Sequence, residues 1–123
     1  MHETVRKALI EVARQRTKQT ITYQELSDKC KLGLNMRDNP SDRTKIGIIL
    51  GEISKFEHNN KRPFLSSIVI RLIDGEEGEG FYKLAEKLGY GPIKKLKEDC
   101  FEEIQIGKCI EFWSNEENYK KFS

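Results

Sequence analysis

The sequence predicts a mainly helical α+β fold, and three observations carry that prediction. Apolar residues recur every three or four positions through most of the chain, helix start and stop signals punctuate those stretches, and a single β-branched run, LSSIVIRLI from Leu65 to Ile73, stands alone as strand material. At 123 residues the chain has the length of one domain, enough for one core without metals or disulfides. A core from about 4 to 73 is expected, followed by a helical extension from about 80 to 113.

The first helix is expected from Thr4 to Arg16, because Val5, Ala8, Leu9, Val12 and Ala13 share one face while Arg6, Lys7, Arg14 and Arg16 take the other. A second helix opens at Tyr23. Thr22 as N-cap and Glu25 three residues on form a capping box, and Ile21 and Leu26 are placed to close over it as a hydrophobic staple. This helix is expected to end near Lys31, before a loop in which Gly33, Asn35, Asp38, Asn39 and Pro40 break any period. Ser41 is the expected cap of a third helix running to about Phe56, with Asp42 suiting its dipole and Ile46, Ile49, Leu50 and Ile53 forming its stripe. Gly47 and Gly51 sit one turn apart in it, each costing about 1 kcal/mol of helix propensity relative to Ala. The pair predicts close packing of another backbone, or a ligand, along that side.

After the polar turn FEHNNKRP comes the predicted strand, Leu65 to Ile73, and then an acidic glycine loop, DGEEGEG. A short helix from Phe81 to Leu88 follows, closed by Gly89. Beyond Pro92, Ile93, Leu96, Cys100, Phe101 and Ile104 share one broad face of a further helical segment that Gly107 is placed to break or bend. The tail SNEENYKKFS is expected to fray.

Composition excludes several classes. No apolar run approaches the roughly 20 residues that span a bilayer, and the amino terminus lacks the apolar core of a signal peptide. Three cysteines, Cys30, Cys100 and Cys109, are odd in number and widely spaced, which disfavours both a zinc site and a disulfide framework. A cytoplasmic location is the expectation. The net charge of +2 conceals a polarity: residues 1 to 73 hold 14 Lys and Arg against 8 Asp and Glu, whereas residues 74 to 123 hold 8 against 12. A basic front half is the footprint of a phosphate-facing surface, although solvated helices reach the same balance.

The order helix, capped helix, loop, helix, strand, with the basic charge gathered there, is compatible with a helix-turn-helix or winged-helix-like core whose third helix would enter the major groove. The acidic glycines after the strand leave the second wing strand truncated or absent. The segments TITYQELS, RTKIGIILGEI and RPFLSSIVIRLIDGEEGEGFYKLAEKLG resemble the winged-helix domain of alkylguanine-DNA alkyltransferases and alkyltransferase-like proteins over about Thr20 to Gly89. The resemblance implies duplex DNA as partner and places Tyr23 on the family's phosphate-rotating tyrosine. It departs at the chemistry: Pro63 is followed by Phe64, Leu65 and Ser66 where the family has Cys, His and Arg, and Thr44 stands where it has a base-displacing arginine. Alkyl transfer needs a thiol activated by a neighbouring base, and neither half of that pair is present.

Other catalytic patterns are weaker still. His58 with Asn59 and Asn60 lacks the further ligands of a nuclease, and Asp74, Glu76, Glu77 and Glu79 lack the ligand order of an EF-hand. Gly75, Gly78 and Gly80 lack the Lys-Ser/Thr of a phosphate loop, and Ser66 and Ser67 have no histidine at a nameable distance. No enzyme, cofactor or metal site is therefore expected. Two roles remain. One is a non-catalytic DNA-binding or DNA-associated accessory protein, with Tyr23, Arg43, Lys45 and Lys55 on or near phosphates and Thr44 and Ile48 towards bases. The other is a protein-interaction module of a cytoplasmic, bacterial-type complex without nucleic-acid binding, in which the acidic half or exposed Ile48, Phe112 and Trp113 dock a partner or a second copy.

Overall fold

The computed structural model describes residues 1–71 and 79–123. Among them the fold is mainly helical: α1 Glu3–Ala13, β1 Ile21–Thr22, α2 Tyr23–Lys29, α3 Pro40–Asn59, a 3-10 turn Leu65–Ile68, β2 Val69–Ile70, α4 Glu79–Lys87, α5 Ile93–Glu98, α6 Phe101–Ser114 and α7 Glu116–Phe122. β1 and β2 form a two-stranded parallel sheet, with Ile21 opposite Val69 and Thr22 opposite Ile70.

The start of α2 follows from its sequence. Thr22 Oγ1 accepts from the Glu25 N–H at 3.2 Å, and Glu25 Oε1 accepts from the Thr22 N–H at 3.0 Å, closing the expected capping box. Ile21 and Leu26 are both buried in the main core. The cap of α3 is two residues earlier than expected: Asn39, not Ser41, is the N-cap, its Oδ1 accepting from the Ser41 N–H at 3.1 Å. Pro40 then occupies the first helical position, where its missing N–H and fixed φ carry no penalty. The helix runs past Phe56 to Asn59 because Glu57 continues its buried stripe. At the other end of the first segment, α1 stops at Ala13 rather than Arg16, since no apolar position follows to hold another turn.

The β-branched run is mostly not a strand. Leu65–Ile68 is a 3-10 turn buried on every side against α1, α3 and α6, and only Val69 and Ile70 pair with β1. β-Branched residues signal a crowded, buried surface as much as a ladder, and here burial is what they report. The Ser66 N–H is satisfied by Ser54 Oγ at 3.2 Å instead of by a neighbouring strand. The end of the expected strand and the acidic loop through Gly78 lie outside the described residues.

Three further expectations change. The segment after Pro92 is two helices, because Cys100 adopts a left-handed φ of 56° and turns the chain between α5 and α6, leaving Ile104 exposed. Gly107 lies within α6 and does not interrupt it. The tail is helical, not frayed: Asn115 caps α7 by accepting from the Asn118 N–H at 3.1 Å. α4 does end as expected, with Gly89 at φ 93° beyond its last turn and the Tyr90 N–H donating to the Ala85 carbonyl.

Two apolar clusters result. The larger gathers α1, α2, α3, the 3-10 turn and the second half of α6 around Leu9, Leu26, Ile53, Ile68 and Trp113. The smaller gathers Phe64, just before the 3-10 turn, with Phe81, Tyr82, Ala85, Leu96 and Phe101 from α4, α5 and the start of α6. The α2–α3 connection, residues 30–39, is longer than the three or four residues of a helix-turn-helix turn. Among the described residues there is no antiparallel wing hairpin.

Candidate functional site

α3 presents three faces. Ile46, Leu50, Ile53, Ser54 and Glu57 are buried in the fold. Lys45, Ile48, Glu52 and Lys55 look outward, and Thr44, Gly47 and Gly51 form one side of a groove. The six residues expected to meet DNA are therefore divided. Tyr23, Arg43 and Thr44 line the groove, whereas Lys45, Ile48 and Lys55 occupy the outward face.

On that outward face Ile48 is 58% exposed, an unusual value for an isoleucine in mid-helix. Lys45 Nζ lies 3.6 Å from Asp42 Oδ1, and Glu52 lies 3.8 Å from the amino-terminal ammonium, so two of the acidic groups near this face have their charge offset. The carboxy-terminal helix does not cover it. α7 lies instead on α1 and α6, where Tyr119 Oη donates to Glu11 Oε1 at 2.7 Å and Asn118 Nδ2 donates to the Phe112 carbonyl at 3.0 Å.

The groove has a volume of about 1240 Å³. One wall is α3 with the start of α2; the other is α4, through Gly80, Lys83 and Leu84. Its floor is apolar, with Ile46, Leu50 and Phe81 beneath. Arg37, Arg43, Arg71 and Lys83 line it, and no carboxylate does so among the described residues. The groove explains Gly47 and Gly51 better than internal packing does: a Cβ at either position meets nothing beyond its own helix within 4 Å, so no backbone of the described chain approaches there.

The loop carrying Arg37 is built by side chains of the helices it joins. Gln24 donates to the Leu34 carbonyl and accepts from the Met36 N–H, both at 2.9 Å, and Asp42 Oδ2 accepts from the Asn35 N–H at 2.9 Å. Arg43 donates from Nε to the Met36 carbonyl at 2.6 Å and from Nη2 to the Arg37 carbonyl at 3.1 Å. Arg43 is thus a fastener of this loop as well as a cation of the groove. Thr44 Oγ1 donates to the Pro40 carbonyl at 3.3 Å, back-bonding in the first turn of its own helix.

Sequence reasoning missed Arg37, Arg71 and Lys83, which reach the groove from three separate segments. The glycine pair was the one local signal of an open side. Two residues expected at a docking surface are not there: Trp113 is fully buried and Phe112 is partly buried against it, because α6 turns that edge into the core. His58 Nδ1 is 2.8 Å from Tyr90 Oη, and Ser66 Oγ is 2.6 Å from Ser54 Oγ. Asp74, Gly75, Glu76, Glu77 and Gly78 lie outside the described residues.

Among the described residues no group of three or more His, Cys, Asp or Glu side chains could hold a metal ion, and no helix is long and apolar enough to cross a membrane. Cys30 is half-buried and its thiol is pushed above the ordinary value by that burial, against the weaker pull of Lys29. Cys109 Sγ donates to the Phe64 carbonyl at 2.9 Å inside the core. Comparison with protein-family models, with curated proteins and with solved structures finds no match to this chain.

Proposed function

We propose that the chain is a non-catalytic DNA-binding or DNA-associated accessory protein that lays α3 against duplex DNA, with the segment from α1 to β2 serving as its winged-helix-like core. The observation that carries this reading is the uncovered outward side of α3, where Lys45, Ile48 and Lys55 stand exposed while α7 packs elsewhere. Tyr23, Arg43 and Thr44 flank that side at the groove's edge. Phosphate contacts by lysine and arginine release condensed counterions, so affinity falls as salt rises, by about 0.9 in log–log slope for each contact. Ile48 and Thr44 offer methyl groups but no paired donors and acceptors, so base discrimination is weak.

The absence of catalysis in this reading rests on the segment after Pro63. Phe64 is buried where an alkyl-accepting thiol would have to be exposed, and Ser66 is bonded to Ser54.

The test is fluorescence anisotropy with a labelled duplex across a salt series, comparing the wild type with a Lys45→Glu and Lys55→Glu double variant. These two are cleaner than Arg43→Glu, which also unfastens the loop. Affinity at low salt should drop by about tenfold or more and the salt slope should shrink by about two contacts in the variant. A wild type that shows no anisotropy change at low salt overturns the reading.

A further inference from the structure

We propose that α7 is an exchangeable element: Asn115 straightens, α6 and α7 become one helix, and α7 of each copy seats on α1 of a second copy of the chain in a two-fold pair. The hinge is a single residue. Asn115 ends α6 and caps α7, with φ −77° and ψ 119°. Its φ is already near the helical value, so rotation about ψ, towards about −42°, makes the helix continuous from Phe101 to Phe122. The Asn118 N–H then leaves Asn115 Oδ1 for the Ser114 carbonyl four residues back, exchanging a cap for an ordinary helical bond.

The seat that α7 vacates calls for an identical occupant. Arg6 Nη2 donates to the Phe122 carbonyl at 2.6 Å, and the Arg6 side chain is only 5% exposed. The Phe122 ring lies 5.3 Å from the Arg62 guanidinium and 5.9 Å from the Phe112 ring, while Tyr119 packs on the main core beneath Arg14. An empty seat would strand a buried donor and wet these rings. A second copy's α7 restores every one of these contacts, because the same residues meet across the pair. With the seat the same in both forms, the balance between closed and exchanged chains falls to the hinge and the concentration, the condition under which swapping an element costs little. Release is also easy. No residue of α7 is buried, and the Glu116 side chain that pairs with Arg14 is 66% exposed, so α7 can leave while α1, α3 and α6 stay packed.

Sedimentation velocity on the full chain tests this, and it should show a dimer that grows with concentration. Asn115→Ala removes the cap and raises helix propensity at the hinge, so it should tighten the dimer about tenfold or more. Two charge reversals identify the contact. Arg14→Glu and Glu116→Arg each set like charges across the seat, both within one chain and between identical copies. Mixing the two chains restores opposite charges at both seats, and the heterodimer should form about tenfold more readily than either homodimer. All three variants should still unfold in one cooperative urea transition, so that a missing dimer is not a missing fold.

A chain that stays monomeric at every concentration, as wild type and as Asn115→Ala, overturns the proposal. A dimer that Asn115→Ala leaves unchanged overturns it as well, because its interface then lies elsewhere. So does a mixture of the charge-reversed chains that forms no more heterodimer than homodimer. The inference stands apart from the DNA reading, since α7 packs away from the outward face of α3.

Discussion

Glu57 is fully buried, yet it falls on the stripe of α3 that Ile46, Leu50 and Ile53 define. Two guanidinium groups make that tolerable. Arg6 Nε donates to Oε1 at 2.6 Å and Arg62 Nε pairs with Oε2, while the rings of Phe56, Trp113 and Phe122 cover the two cations. Removing one partner of a buried ionic group strands the others in a poor solvent, at about 3–5 kcal/mol. Glu57→Ala should therefore lower the stability in urea unfolding by that amount, with a change under about 1 kcal/mol marking the network as dispensable. The capping residues at Thr22 and Glu25 were readable because both partners lie within four positions of each other. Glu57 was not, since its partners lie 51 and 5 positions away and only the fold brings both to it.

Among the elements, α7 shows how far tertiary contacts can override a polar sequence. None of its residues is buried, and its apolar contacts come from Tyr119 and Phe122 alone. It is held from outside: Arg14 donates to Glu116 Oε1 at 2.6 Å and lies over the Tyr119 ring at 3.9 Å, Tyr119 bonds Glu11, and Arg6 Nη2 donates to the Phe122 carbonyl at 2.6 Å. The hydrogen bond from Arg14 holds the Glu116 carboxyl below its ordinary range, and the bond to Glu11 pushes the Tyr119 phenol above its own. A lowered carboxyl stabilises the docked helix above the ordinary carboxylate range and stops doing so as pH falls through the lowered value. A raised phenol stabilises it below the ordinary phenol range and stops as pH rises through the raised value. Docking of α7 should accordingly be firmest between those ranges. Amide chemical shifts of residues 116–122 should move towards coil values as acid is added, while those of α3 hold; unmoved shifts would refute this account. High salt should act in the same direction, because these pairs are solvent-facing.

At the scale of the molecule, Phe64 joins the two apolar clusters. Its ring meets Phe81 and Phe101 of the smaller one, with Tyr90 and His58 beside them, while its carbonyl accepts from Cys109 Sγ of the larger and its N–H donates to Gln105 Oε1 on the same helix, α6. Phe64→Ala should cost about 3–5 kcal/mol, and Trp113 fluorescence and far-ultraviolet circular dichroism should still report one shared transition. Two separated transitions would mean that the clusters unfold independently. Helix number and order in the front half were legible because α1 and α3 each carry an apolar stripe and α2 a capping box. The break at Cys100 was illegible because a non-glycine residue takes the left-handed turn, and the groove was illegible because its cations come from segments that no local pattern connects.

The parallel pairing of Ile21 with Val69 has a consequence for the order of events during synthesis. Parallel neighbours need a crossover, and here everything from α2 through α3 and the buried 3-10 turn lies between them. The amino-terminal helix keeps part of its apolar side unsatisfied on the ribosome until Val69 clears the exit tunnel, and the larger core closes only after Cys109 and Trp113 of α6 have followed.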